Sequence, residues 1–158
     1  MSRRVTIAAM LITRFCLMAI ATAVALPLHA ASPEEQAVLA PVQALFNGMT
    51  HRDAAAISAP LLPGGSLTLM RDGKAVQMSF EDFAARVAKP GTTRIEERIH
   101  HPLVRIDHDL AVVWAPFEFL SDGKVDHCGT DLFSLVRVDG QWRIAAIADT
   151  GRKTCAAQ

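Results

Sequence analysis

Residues 92–150 hold four runs rich in β-branched and aromatic residues, separated by short polar joints. The runs are "TRIEERIHHPLVRI", "LAVVWAPFEFLS", "KVDHCGTDLFSLVRV" and "QWRIAAIADT", and the joints are Asp107-His108, Asp122-Gly123 and Asp139-Gly140. An Asp-Gly pair supplies the two positive φ angles that a two-residue hairpin turn demands. These runs therefore fold back on one another as one long antiparallel meander. The preceding segment has a different period. In "SPEEQAVLAPVQALFNGM" the residues Val38, Val42, Leu45, Phe46 and Met49 recur at helical spacing, behind a Ser32 N-cap, Pro33 and two acids. Pro41 inside that run predicts a kink or a late start. A short helix over "DAAAISA" capped by Asp53, a hairpin about Asp72-Gly73 and a third helix in "SFEDFAARVAKPG" capped by Ser79 follow. Helices first and a meander last make an α+β domain, with helices packed on one face of a curved sheet.

Ahead of this domain, Arg3 and Arg4 precede an apolar, Ala-rich stretch that ends in Pro27, Ala30 and Ala31. That order is expected of a cleaved signal peptide over residues 1–31. Arg14 breaks the apolar run and leaves it shorter than the ~20 residues of a spanning helix. Residues 32–158 then form one domain, periplasmic or secreted, with no membrane contact after cleavage. The whole chain has 16 basic and 16 acidic residues. Loss of Arg3, Arg4 and Arg14 leaves a formal charge of −3 and no basic run, which argues against nucleic-acid partners.

Two-residue loops at the three joints would set Ile106 opposite Asp109, Ser121 opposite Lys124 and Val138 opposite Gln141. Counting back places His101, Trp114, Asp131 and Ala148 in one row. Ile99, Leu103, Leu110, Val112, Phe133, Leu135, Trp142 and Ile144 share their face, with Glu97, Glu118 and His127 towards one end. The opposite face collects Ala111, Val113, Ala115, Phe117, Cys128, Leu132, Ile147 and Asp149. Both faces are apolar. The first, with bulkier residues, is expected to face the helices, and the second needs a cover such as a homodimer partner. A bulge at Pro116 would shift the register by one.

The pattern "VWAPFEF", "DGK", "HCGTD", "LVRVDGQWRIA" and "ADT" resembles the C-terminal sheet of nuclear transport factor 2-like proteins. More narrowly, it resembles their small exported bacterial branch, lumazine-binding-like or polyketide-cyclase-like. With the helices the likeness covers most of residues 33–152. It implies a cone: a strongly bent antiparallel sheet wrapped around helices, a pocket at the open end, and frequent dimers. Members include isomerases, cyclases, dehydratases, binding modules and scaffolds, so the fold does not decide the function. The steroid-isomerase-like members pair an Asp base with Tyr or protonated Asp donors. This chain has no Tyr, so that arrangement does not carry over intact.

Several chemistries compete for the polar residues. His101 and Asp131, flanking Trp114, are the candidate acid–base pair, against a reading in which Asp131 is a satisfied structural carboxylate. Trp114, Phe133, Trp142, Glu118 and His127 are the candidate ligand-binding residues. Glu97, Glu118 and His127 have the residue types for a divalent ion, but near a sheet edge such a row is more often a solvated charge cluster, and no metal or other cofactor is expected. His127 and Cys128 are strand neighbours on opposite faces, which disfavours a Cys–His nucleophile. The better use of Cys128 is a disulfide to Cys155, the second cysteine left after cleavage. It would tie down the tail and contribute roughly 3 kcal/mol. Three functions follow in order: binding a small, mostly apolar or aromatic molecule; a cofactor-free lyase or isomerase using Asp131 and His101; and a dimeric structural module whose cone is filled by side chains.

Overall fold

A computed structural model describes residues 31–155; the signal segment expected over residues 1–31 lies, but for its last residue, outside the described residues. Three helices, α1 (Pro33–His51), α2 (Ala54–Ser58) and α3 (Phe80–Val87), pack on a seven-stranded sheet. Its strands are β1 (Leu61–Arg71), β2 (Lys74–Ser79), β3 (Ile95–Ile99), β4 (Leu103–Asp107), β5 (Leu110–Ser121), β6 (Lys124–Val138) and β7 (Gln141–Arg152). They run in the order β2-β1-β7-β6-β5-β3, with β4 also on β5. The class is α+β, as the sequence predicts.

Local chemistry sets the helix starts. Ser32 accepts from the Glu35 backbone N–H while Glu35 closes back on Ser32, a complete capping box. With that nucleus α1 starts at Pro33 and runs through Pro41, so the late start does not occur. Asp53 caps α2 and Ser79 caps α3 as expected. Among the described residues no helix is long and apolar enough to cross a membrane.

The Asp-Gly turns also form where expected: Asp72-Gly73, Asp122-Gly123 and Asp139-Gly140 all have both φ angles positive. Four features of the sheet depart from the simple count. First, β1 pairs with β7 in parallel, Leu67 opposite Ile147, so the sheet is mixed rather than wholly antiparallel. Second, "TRIEERIHHPLVRI" is two strands, broken at His101 (φ 45°) before Pro102, a residue with no N–H to give a ladder. Third, the β4–β5 turn centres on His108 and Asp109, pairing Asp107 with Leu110. Fourth, the bulges are not at Pro116. Asp126 is the extra residue in β6 against β5, and Ala145 the extra one in β7 against β6.

Each bulge moves the pairing by one residue, and in a strand one residue is a change of face. Asp131 therefore lies opposite Ala115 and Asp149, while Trp114 lies opposite Leu103 and Leu132. The inner face draws on both predicted lists: Val113, Ala115 and Phe117 from one strand, Asp131, Phe133 and Leu135 from the next, then Ile144 and Ile147. Val38, Val42, Leu45, Phe46 and Met49 of α1 bury against it. At Gly129 β7 leaves no room for a side chain on β6. A Cβ there would stand 1.7 Å from the Thr150 carbonyl oxygen and 2.7 Å from the Phe117 ring.

Candidate functional site: a carboxyl pair in an apolar cone

Between the helices and the inner face lies a cavity of about 180 Å³. Its walls are apolar: Leu45, Phe46 and Met49 of α1, Phe83 and Val87 of α3, and Leu67, Leu69, Ile95, Phe117, Phe119, Phe133 and Ile147 of the sheet. Phe46 meets Phe133 edge-on at 6.0 Å between centroids. Five ionisable residues also line it: Arg71, Glu97, His127, Asp131 and Asp149. A few polar groups in an apolar concavity is the usual composition of a small-molecule site.

The strand ends bring these five together. Arg71 is the last residue of β1, and the parallel pairing with β7 carries it alongside Asp149. Arg71 Nη1 and Nη2 donate to Asp149 Oδ1 and Oδ2 at 2.6 and 2.7 Å, a two-point ion pair, and Nη1 also donates to the Met70 carbonyl. Gly151 leaves the space this needs, since a Cβ there would sit 2.9 Å from Arg71 Nη1. His127 stacks on Phe119 at 4.9 Å and stands edge-on to Phe117 at 5.7 Å, while its Nδ1 is 2.9 Å from Asp126 Oδ2.

Asp131 is only 3 % exposed, the one buried charged-type residue of the described core. No backbone N–H, basic side chain or hydroxyl donates to its Oδ2. Its facing partner is Glu97, and two carboxyls bond each other only when one carries a proton. Burial, then the Glu97 charge and hydrogen bond, raise the Asp131 pKa well above the ordinary carboxyl range. Burial likewise pushes Glu97 up to about 7; the hydrogen bond from Asp131 and the Arg71 charge oppose the rise, and Asp149 adds to it. The pair therefore holds a proton near neutrality and can give or take one within an apolar cavity.

The expected site residues divide. Asp131, Phe133 and His127 line the cavity. His101 does not: it is exposed at the break between β3 and β4, so the predicted row with Asp131 does not form. Trp114 is 51 % exposed on the outer face, displaced by the bulge at Asp126 and the shifted β4–β5 turn. Glu118 also points away from the cavity, 3.4 Å from His100 Nε2. Trp142 is buried, but under the Arg137 guanidinium at 4.5 Å and near α1, outside the cavity. Glu97, Glu118 and His127 do not share a face, and among the described residues no three His, Cys, Asp or Glu side chains converge as metal ligands. Sequence reasoning missed Arg71 and Asp149 as cavity residues. It placed Glu97 on the cavity face but not beside Asp131. The parallel β1–β7 pairing brings in Arg71, and the bulge at Ala145 turns Asp149 to the inner face; neither has a local signal. Cys128 and Cys155 form the expected disulfide, with Cα atoms 5.9 Å apart.

The family described as "Putative lumazine-binding" matches residues 33–148. No curated protein matches the chain. Solved structures similar to it include a nuclear transport factor 2-like protein from Cytophaga hutchinsonii, 18% identical, with TM-score 0.65 over 77% of this chain and 100% of that one. Another, from Silicibacter pomeroyi, is a nuclear transport factor 2-like protein of unknown function, 22% identical, with TM-score 0.59 over 75% and 97%. A third, from Streptomyces avermitilis, carries the description putative dehydratase from the same family, 16% identical, with TM-score 0.60 over 77% and 96%. At these identities the likeness is one of fold.

Proposed function

We propose that this chain, which belongs to the lumazine-binding-like family of the nuclear transport factor 2-like superfamily, binds a small, mostly apolar or aromatic molecule in its cone. The observation that carries the reading is the 180 Å³ cavity itself: phenylalanine-walled, with its ionisable groups gathered on the strands. A cone filled by side chains, as the structural-module reading requires, would leave no such space. The description of the family supports a ligand-binding role. We further propose that the protein works outside the cytoplasm, as a periplasmic or secreted protein. The Cys128–Cys155 disulfide supports this, since such bonds persist in oxidising compartments. The test is native mass spectrometry of protein purified from its own host, with lumazine and a panel of small aromatics added separately. Retention of a small molecule, lost when Phe133→Trp fills the cavity, is expected. A bare protein mass under every condition would overturn the binding reading.

A second reading, a cofactor-free lyase or isomerase, is favoured by one observation: Glu97 and buried Asp131 form a carboxyl pair in an apolar cavity, where burial pushes Glu97 up to about 7. That is the protonation poise of a general acid–base pair. With His101 outside the cavity, Glu97 takes its place as the partner of Asp131. Protein-dependent deuterium exchange at the α-carbon of acetophenone in D2O, abolished by Asp131→Asn, is the expected result. Exchange no faster than in buffer would remove it.

A further inference from the structure

The cavity contains an imbalance that its own residues do not resolve. Of its five ionisable groups, Arg71 is committed to Asp149 through both terminal nitrogens. His127 Nδ1 lies against Asp126. Glu97 and Asp131 are left facing one another with no cation bonded to either, the Arg71 charge reaching them only past Asp149. The helices supply none, because every residue they contribute to the cavity is apolar: Leu45, Phe46, Met49, Phe83 and Val87. What the site lacks is therefore an uncommitted positive charge, not acceptors. Asp131 Oδ2 states this most directly: it is buried with no N–H or hydroxyl of another residue donating to it, so the pair is held only by the proton that Asp131 shares with Glu97. A metal ion does not answer the need, since no three suitable ligands converge among the described residues and Asp149 is already taken by Arg71.

We infer that the carboxyl pair Glu97–Asp131 is the receptor for the ammonium group of a small aromatic or apolar amine, whose hydrocarbon body lies among the phenylalanines of the cone. An ammonium is compact and brings three donors, enough for both carboxylates. Phe117, Phe119 and Phe133 line the same cavity, and aromatic faces attract a desolvated cation. A carboxylate ligand would add a further negative charge beside two carboxyls. A neutral carbonyl would need the proton that Glu97 and Asp131 share. The raised affinity of the pair for protons is the behaviour of an anion site waiting for a cation, and an ammonium would displace that proton.

This inference rests on the binding reading above and is separable from it by experiment. Isothermal titration at pH 7 would compare benzylamine, benzyl alcohol and benzoate, with the amine repeated in two buffers of different ionisation enthalpy. Benzylamine is expected to bind at least tenfold tighter than benzyl alcohol, benzoate least, with net proton release on amine binding. Asp131→Asn, and independently Glu97→Gln, should weaken benzylamine tenfold or more while changing benzyl alcohol less than threefold. Circular dichroism identifies a variant that fails to fold, in which case the other decides. Equal or tighter binding of the alcohol or benzoate, proton uptake with the amine, or no amine binding would overturn the inference. If the alcohol binds without preference for the amine, the ligand-binding reading stands alone. If none of the three binds and native mass spectrometry shows only bare protein, both fall.

Discussion

Asp131 is buried in the cone, and Glu97 shares the cavity and a hydrogen bond with it. Ordinary carboxyls titrate near pH 4, and this pair does so higher because burial penalises both charged forms and the Glu97 charge further raises Asp131. A group whose pKa is higher in the folded than in the unfolded protein adds stability below its unfolded pKa. That contribution disappears as pH rises through the folded pKa. For Glu97 the window runs from about 4 to about 7. The melting temperature of the wild type should therefore fall more between pH 5 and pH 8 than that of Asp131→Asn, which removes one acid and gives Glu97 an amide donor. Parallel slopes in differential scanning calorimetry would contradict the pairing. Gly129 makes a second prediction at this scale. With a Cβ 1.7 Å from the Thr150 carbonyl, Gly129→Ala should cost more than about 3 kcal/mol in urea unfolding, since backbone must shift.

At the scale of elements, caps and turns were legible and register was not. Ser32, Asp53 and Ser79 cap the helices, and three Asp-Gly pairs turn the hairpins, because each depends on residues within a few positions of one another. The bulges at Asp126 and Ala145 leave no comparable mark: nothing in "KVDHCG" or "RIAAIA" distinguishes a bulged residue from a paired one. They moved Trp114 out of the predicted site and left Asp131, Phe133 and His127 inside it. The parallel β1–β7 contact, which brings Arg71 to Asp149, joins residues far apart in sequence and was invisible for that reason. The tail is closed by Cys128–Cys155, with a sequence separation of 27. Cys155→Ser should lower stability by about 3 kcal/mol in denaturant unfolding, and the wild type should show no free thiol under non-reducing conditions. Two free thiols in exported protein would contradict it.

Across the described residues as a whole, the sheet packs on the helices with one face and leaves apolar residues on the other. Leu103, Trp114, Leu132, Ala148 and Thr68 form one row across five strands, and the first three are 56 %, 51 % and 37 % exposed. Large apolar groups side by side on a sheet mark a surface that favours a partner. We propose that this face pairs two copies of the chain. Trp114→Glu should then convert a dimer to a monomer in analytical ultracentrifugation with little change in ligand binding, and a wild type that sediments as a monomer at 100 µM would contradict it. The cavity lies on the inner side, and its chemistry turns on two carboxyls. The most direct test is a carbon-detected nuclear magnetic resonance titration of the Glu97 and Asp131 carboxyls in the ligand-free protein. Coupled transitions displaced above the ordinary range are expected, with Glu97 near 7, both lowered by added benzylamine. Two independent transitions near pH 4, unmoved by the amine, would contradict it.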